Sequence, residues 1–306
     1  MGIAIAHLAQ LGYGEVGKVF ASGLLAQVHS VCAWDLRFDD ESLRDAERAH
    51  AAHAGVAARD SLRALCAGAD LVISAVTASN TLAVAQEAAK HMRKGAFFLD
   101  LNSASPATKQ QAATAVDAAG AHYVEAGVMT SVPPYGVRAP MLLGGARAAD
   151  LAATLCAWGM QASVVSEKIG VASAIKMCRS VMIKGLEALV VESYTTARAY
   201  GVEEHMLPTL QETFPGIDWQ QQGGYLFSRV VQHGKRRSEE MREAANTVRE
   251  AGFAPFMAEA SADKQQWVAQ RARAGVFQGI AKGARWQDYA DRLLDDRRRS
   301  DKKDAN

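Results

Sequence analysis

A glycine-rich loop near the start of the chain has the residue types and spacing of a phosphate-binding turn. Gly12, Gly14 and Gly17 form the pattern GxGxxG directly after an apolar stretch over 3–11. In such a loop the first glycine permits a tight turn, the second lets a pyrophosphate approach the backbone, and the third lets the next helix pack closely. The N–H groups at the start of that helix also favour phosphate. The sequence therefore predicts a dinucleotide site made of Gly12, Tyr13, Gly14, Glu15, Val16 and Gly17.

An acidic residue follows this loop at the spacing expected for a ribose contact. Asp35 ends the second apolar stretch, about 20 residues after the last glycine of the motif. A carboxylate there accepts hydrogen bonds from the ribose 2′-hydroxyl and repels a 2′-phosphate. Asp35 therefore favours NAD as the cofactor. Arg37 stands two residues later, so NADP remains an alternative.

Small polar residues stand at the ends of two further predicted strands. One strand ends at Val76 and Thr77, and the next runs into Asn102 and Ser103. The carboxyl ends of parallel strands are where an α/β sheet presents its ligand. We expect Val76 and Thr77 to line the cofactor, with a plain polar loop as the alternative. We expect Asn102 and Ser103 to hold a substrate carboxylate or hydroxyl.

A lysine lies among small and apolar residues in a long predicted helix over 171–200. Lys176 stands in the segment ASAIKMC, and Ser180 follows it by one turn on the same helix face. A lysine in a cleft can act as a general acid or base. Helical periodicity by itself favours a solvent-facing lysine, so this pattern alone leaves the role of Lys176 open.

The elements that must position these residues change in kind along the chain. Short apolar runs alternate with helical stretches over 1–166, which predicts a Rossmann-type α/β domain with a mostly parallel sheet. Residues 167–294 contain helical patterns alone and predict an all-α domain. Residues 295–306 are almost wholly charged and predict a flexible tail.

Composition excludes several classes of protein. Lys and Arg total 34 against 33 for Asp and Glu, a net charge of +1, which argues against a protein that coats nucleic acid or an anionic membrane. The four cysteines lack zinc-type spacing, so we expect no metal site and a reduced, cytoplasmic protein. No apolar stretch has the length of a membrane-spanning helix.

Three segments occur in the order of one known family. The segment DLNSASP over 100–106 resembles a substrate-binding segment D-x-S-T-x-x-P, and VEAGVMTS over 124–131 stands where that family has D-A-P-V-S-G-G. The segment GVASAIKMCRS over 170–180 resembles its catalytic segment G-x-x-x-x-x-K-x-x-x-N. The chain thus resembles the β-hydroxyacid dehydrogenases, which include 3-hydroxyisobutyrate and 6-phosphogluconate dehydrogenases. Its second half is similar to a subgroup with a phosphogluconate-dehydrogenase-like helical domain.

This resemblance implies roles for individual residues. It implies that Lys176 is the catalytic lysine. The substrate would then be bound by Asn102, Ser103, Met129, Thr130 and Ser180. Ser180 replaces the family's asparagine, and the substrate loop is bulkier than usual. The late Lys-Asp pair of the family is not evident.

A basic segment stands in the later part of the chain instead. His233, Arg236 and Arg237 are candidates for a ligand contact. The alternative is an ordinary helix start with Ser238 as its N-cap.

The resemblance predicts an NAD(P)-dependent oxidoreductase that transfers hydride reversibly between nicotinamide and the β-hydroxyl carbon of a small hydroxy acid. Met129 and the aromatic residues Trp219, Tyr225 and Phe227 suggest a larger or aryl-bearing substrate. Alternatives are an imine reductase-like enzyme and a non-catalytic NAD(P)-sensing protein. By analogy with the family, we also expect residues 167–294 to bind the substrate and to form a homodimer.

Overall fold

The computed structural model describes residues 3–304, and side chains over 3–301. Its first part alternates strands and helices, and its second part contains helices alone among the described residues. The first part comprises β1 (His7–Leu11), α1 (Glu15–Gly23), β2 (Ser30–Trp34), α2 (Arg44–His53), β3 (Ala57–Ala58), α3 (Leu62–Cys66), β4 (Leu71–Ser74), α4 (Thr81–Ala89), β5 (Phe97–Asp100), α5 (Pro106–Ala118), β6 (His122–Val128), β7 (Met141–Gly144), α6 (Ala148–Ala157) and β8 (Ala162–Ser166). The second part comprises α7 (Val171–Tyr200), α8 (Glu203–Thr213), α9 (Trp219–Glu250), α10 (Phe256–Arg273) and α11 (Trp286–Asp304).

The eight strands form one sheet in the order β3-β2-β1-β4-β5-β6-β7-β8. All neighbouring strands are parallel except β6 and β7, which are antiparallel. The chain crosses back to the far side of β1 after β3, so β1 and β4 are adjacent. Such a reversal of strand order opens a crevice at the carboxyl ends, where ligands bind in doubly wound folds. The predicted Rossmann-type domain followed by a helical domain is confirmed.

Alternate residues of the central strands pack into two separate apolar cores. Leu8 and Ile73 belong to one core, whereas Ala9, Val72 and Phe98 belong to the other. A sheet covered on both faces requires strands that are apolar on both sides, which explains the continuous apolar runs in the sequence.

The first strand is shorter than its apolar run. Residues 3–6 lie before β1, and the backbone N–H groups of Ala6 and His7 donate to Asp70 Oδ2 at 2.7 and 2.8 Å. His7 is exposed at the start of the strand. Gln10 is fully buried, and its Nε2 donates to the carbonyl oxygens of Gly12 and Ile73 at 3.1 and 3.2 Å.

The chain divides into two compact units within α7. One unit contains residues 1–178 and 250–252, and the other contains 179–249 and 253–306. This division lies further along the chain than the predicted boundary at 166, because the first turns of α7 pack with the sheet.

The helical unit differs from the prediction in two places. The segment around Ser238 lies inside a single helix, α9, so Ser238 is not an N-cap; its hydroxyl contacts the Lys235 carbonyl and the Gln266 side chain. Gly234 lies within this helix and lets α10 pack closely against it, since a Cβ there would lie 2.8 Å from the Gln265 carbonyl oxygen.

The second difference is the length of the last helix, which extends into the segment predicted as a charged tail. Residues 295–304 continue α11 as helix, and the remaining residues of the predicted tail lie outside the described range. The ion pairs Asp295–Arg298 and Arg297–Asp301 have the spacing that supports a helix. Over residues 3–304, no helix is both long enough and apolar enough to cross a membrane.

Candidate functional site

The glycine loop joins β1 to α1 and has the conformation that a pyrophosphate requires. Gly12 has φ +84°, and a Cβ there would lie 2.5 Å from the Ala75 carbonyl oxygen. A Cβ at Gly17 would collide with the Gly12 carbonyl, so both positions require glycine. Gly14 precedes α1, and no side chain caps this helix. A helix N-terminus without a side-chain cap, behind a close-approach loop, fits a bound pyrophosphate.

Asp35 connects the end of β2 to this loop. Its Oδ2 accepts a hydrogen bond from the Tyr13 backbone N–H at 2.6 Å, and its Oδ1 accepts from the Arg37 backbone N–H at 2.9 Å. The Arg37 Nε lies 3.3 Å from the same Oδ1. The Tyr13 side chain is buried beneath the loop, where burial raises the pKa of its hydroxyl and Glu47 adds to the effect. Asp35 therefore lies beside the glycine loop, as the sequence predicts, and its carboxylate also holds the backbone of that loop at Tyr13.

Asn102 ties the ends of β4 and β5 together. Its Oδ1 accepts from the Val76 backbone N–H at 2.7 Å, and its Nδ2 donates to Ser74 Oγ at 3.0 Å. The side chain is buried within these contacts. Both polar atoms of the amide therefore contact the protein itself, and a direct contact of Asn102 with a substrate stays a prediction. Ser103 is half-buried and Thr77 is exposed at the same edge.

A buried ionised group below this edge was missed by sequence reasoning. Asp100 is fully buried, and its Oδ1 lies 2.8 Å from Lys109 Nζ and accepts the Asn102 N–H at 2.8 Å. Its Oδ2 accepts from the Tyr123 hydroxyl at 2.5 Å. Burial and the nearby Asp100 charge raise the pKa of Tyr123 well above its ordinary value. Asp100 thus fixes the backbone from which Asn102 and Ser103 follow.

A second buried carboxylate positions the start of α7. Glu125 is fully buried, and its two carboxylate oxygens accept hydrogen bonds from the backbone N–H groups of Gly170, Ala172 and Ser173 at 2.7, 3.0 and 3.2 Å. A negative charge at a helix N-terminus is stabilising. The absence of a side chain at Gly144 leaves room, because a Cβ there would lie 2.6 Å from Glu125 Oε1.

Lys176 lies on the turn of α7 that follows this cap. A Cβ on Gly127 of β6 would lie 3.0 Å from the Ala172 carbonyl oxygen and 3.5 Å from the Lys176 Cβ. Glycine in β6 therefore lets α7 approach the sheet, and Lys176 is half-buried beside the carboxyl end of that strand. Met129 is half-buried and Thr130 exposed just after β6.

Most of the predicted site residues therefore meet at one edge of the sheet. The glycine loop, the end of β4, the segment after β5, the segment after β6 and Lys176 all belong to the first unit. Ser180 belongs to the second unit, where it is buried and accepts from Lys184 Nζ at 3.1 Å. Over the residues whose placement is described, no group of three His, Cys, Asp or Glu side chains could hold a metal ion.

The basic segment of α9 is neutralised by acids within the helical unit. Arg237 Nη1 lies 2.7 Å from Glu187 Oε2, and Lys184 Nζ lies 2.6 Å from Glu240 Oε2. Arg236 also pairs with Glu240 at 3.3 Å. These contacts do not support the idea that the arginines are available to an anionic ligand.

The aromatic residues that suggested an aryl substrate have structural roles. Trp219 and Phe227 are buried in the core of the helical unit, where Phe227 stacks on Tyr289. Tyr225 is 55% exposed. The aromatic residues Trp219 and Phe227 therefore give no support to a large substrate.

Comparisons with known proteins agree with this geometry. The model of the NAD binding domain of 6-phosphogluconate dehydrogenase matches residues 7–155, and a domain of unknown function (DUF1932) matches residues 197–268. Residues 7–155 are therefore an NAD-binding domain of the 6-phosphogluconate dehydrogenase type. The resemblance seen in the sequence is thereby confirmed.

Two solved structures have substantial sequence identity with this chain. A conserved hypothetical protein from Sinorhizobium meliloti is 40% identical, covering 95% of this chain and 96% of its own, with a TM-score of 0.72. A conserved protein of unknown function, described as structurally similar to 3-hydroxyacid dehydrogenases, is 27% identical over 87% of this chain and 99% of its own, with a TM-score of 0.63.

More distant structures share the fold alone. A 3-hydroxyisobutyrate dehydrogenase from Mycobacterium tuberculosis is 16% identical over 88% of this chain and 96% of its own, with a TM-score of 0.66. A reductive aminase from Aspergillus terreus in complex with NADPH is 20% identical over 89% of this chain and 95% of its own, with a TM-score of 0.55. The comparisons thus show an NAD-binding domain and an oxidoreductase-type fold. They do not distinguish NAD from NADP as the cofactor.

Proposed function

We propose that this chain is an NAD(P)-dependent dehydrogenase that transfers hydride reversibly between nicotinamide and the β-hydroxyl carbon of a small hydroxy acid. The observation that carries the proposal is the position of Lys176, which follows a helix start capped by Glu125 and lies against Gly127. These contacts support a role for the Lys176 amine at the sheet edge that also carries the glycine loop.

Each residue has a role in the proposed reaction. When bound, the dinucleotide accepts or donates the hydride. Lys176 takes the hydroxyl proton during oxidation and returns it during reduction. Ser103 and Thr130 hold the substrate carboxylate and Met129 borders it, while Asn102 keeps the ends of β4 and β5 in register. We assign Ser180, one turn after Lys176 on α7, to orienting the lysine or the substrate hydroxyl.

The cofactor residues follow from the loop geometry. The backbone of Gly14, Glu15 and Val16 would hold the pyrophosphate, and Asp35 would face the adenosine ribose. Val76 and Thr77 would line the nicotinamide half. We propose NAD as the principal cofactor and NADP as the alternative.

The activity test is a pair of variants assayed with a panel of β-hydroxy acids. Lys176→Ala should lower kcat by about 10²–10⁴, the usual contribution of a positioned acid or base. The matched control Lys168→Ala alters an exposed lysine that precedes α7 and should leave kcat unchanged. Normal turnover by Lys176→Ala would overturn the assigned role.

Two other functions make different predictions in the same assay. An imine reductase-like enzyme shares the fold, but relatives of that kind typically place Asp or Tyr where Lys176 stands. It would reduce cyclic imines and leave hydroxy acids untouched. A non-catalytic sensor would bind NAD without turning over either class.

We also propose that the protein is a cytoplasmic homodimer that binds small molecules and neither nucleic acid nor membrane. Ile175, Met182 and Leu189 recur every seven residues on α7 and are 39%, 73% and 51% exposed. Such a stripe is typical of helix–helix association. Light scattering should report a dimer, and Met182→Glu should yield monomers; a monomeric wild type would contradict the proposal.

A further inference from the structure

Four charged side chains form a closed cluster beside the glycine loop, which we name the Glu47 clamp: Glu47, Lys18, Arg37 and Asp35. Glu47 Oε1 lies 3.0 Å from Arg37 Nη1, and Glu47 Oε2 lies 2.7 Å from Lys18 Nζ. The Arg37 Nε also lies 3.3 Å from Asp35 Oδ1. Glu47 thus uses both of its oxygens to hold two cations, one from α1 and one from the segment after β2.

The clamp lies where a 2′-phosphate would be recognised. Asp35 ends β2, the position at which a carboxylate meets the adenosine ribose. The Arg37 guanidinium covers the loop, because a Cβ on Gly14 would lie 3.0 Å from Arg37 Nη2. Arg37, two residues after Asp35, and Lys18, on α1, are therefore cations that a 2′-phosphate at this position could use.

The charges of the clamp cancel. Two cations face two carboxylates, and the Glu47 side chain is 13% exposed, so solvent screens its contacts weakly. A 2′-phosphate brings close to two negative charges and needs cations that are not already paired. The neutral ribose diol of NAD makes no such demand.

We propose that Glu47 is the specificity-determining residue that commits this site to NAD(H), by holding Arg37 and Lys18 away from a 2′-phosphate. The inference rests on the proposed function only in requiring that a dinucleotide binds at the glycine loop. Glu47 lies on α2. Sequence rules for the choice of dinucleotide consider the glycine motif and the end of β2, and Glu47 belongs to neither. Removing its charge leaves the clamp with one net positive charge.

The test measures cofactor binding without substrate, by titration calorimetry with NADH and with NADPH. Wild type should bind NADH more tightly than NADPH. Glu47→Gln should shift the ratio of the two dissociation constants towards NADPH by about tenfold, equivalent to about 1.4 kcal/mol, with NADH affinity changed less than twofold. The double variant Glu47→Gln with Arg37→Gln should cancel most of that shift, because the released cation is gone.

Two controls keep the outcome interpretable. Asp60→Asn removes the partner of Arg48, another ion pair of α2, and should leave the ratio unchanged. Thermal unfolding of each variant checks that α2 remains folded, and Glu47→Met gives a second neutral side chain if the glutamine variant unfolds.

The outcomes separate this inference from the proposed function. A wild type that binds neither nucleotide contradicts the proposed function. A wild type that prefers NADPH, or a Glu47→Gln variant whose ratio does not move while NADH still binds, overturns the role of Glu47 alone.

Discussion

The sheet unit and the helical unit both bury ionised side chains, but they satisfy them in different ways. In the sheet unit, Asp100 and Glu125 accept hydrogen bonds from backbone N–H groups at the edge where the loops leave the strands, and Asp100 also contacts the side chains of Lys109 and Tyr123. In the helical unit, Glu187 pairs with Arg237 and Glu240 pairs with Lys184, side chain to side chain between α7 and α9. A carboxylate bonded to backbone fixes the path of the chain, whereas a carboxylate paired with another side chain joins two helices that apolar contacts could also join.

This difference predicts that the sheet unit will not tolerate loss of its buried charges, even in pairs. Replacing Asp100 and Lys109 together by Leu and Met should lower the free energy of unfolding by about 3–5 kcal/mol, since the Asn102 N–H and the Tyr123 hydroxyl lose their acceptor. Urea denaturation measures the change. A double variant as stable as wild type would show that Asp100 merely compensates Lys109.

The helical unit should behave in the opposite way when both partners are removed. Arg237→Met alone leaves Glu187 buried without its partner and should destabilise by about 3 kcal/mol. Adding Glu187→Met should return stability to within about 1 kcal/mol of wild type, since a buried pair is often replaceable by apolar residues. If the double variant is no more stable than the single one, the two units do not differ as we argue.

The sequence was sufficient for features that depend on local spacing. Gly12, Gly17 and Asp35 follow a strand–turn–helix pattern, and α7 begins and ends where helical periodicity predicts, over 171–200. The strand β3 has only two residues, too few to show a periodic pattern in the sequence. Gly234 in the middle of α9 suggests a helix end in the sequence, and only the fold shows that this position is where α10 packs closely.

Contacts between residues far apart in sequence could not be predicted in this way. In the sequence, Glu125 is one polar residue among many, and only the fold shows that it accepts hydrogen bonds from Gly170 and Ala172. Likewise, the sequence suggests Asn102 as a ligand contact, and only the fold shows that its amide bonds to Val76 and Ser74. In both cases the partner comes from another element, and only the fold brings the two together.

Glu125 gives a smaller test of the sheet unit. Glu125→Gln keeps an acceptor for the N–H groups of Gly170 and Ala172 but loses the negative charge at the N-terminus of α7. It should destabilise by about 1–2 kcal/mol, as expected for a buried charge at a helix end. The turnover of the hydroxy acid should also fall, because Lys176 follows this cap. Glu87→Gln, an exposed acid of α4, is the control and should change stability by less than about 0.5 kcal/mol.

The smallest effect concerns pH and the helical unit. Burial raises the pKa of Glu187 above its ordinary value of 4.5, and Arg237 and Lys184 only partly offset this. The folded state therefore binds a proton more tightly than the unfolded state, so this group's contribution is full below pH 4.5 and is lost as pH rises through the folded pKa. The difference in unfolding free energy between wild type and Glu187→Gln should fall over that interval in urea titrations at several pH values. A difference that instead grows with pH would mean that the pairing with Arg237 outweighs desolvation, and the helical unit would then gain from its buried charges much as the sheet unit does.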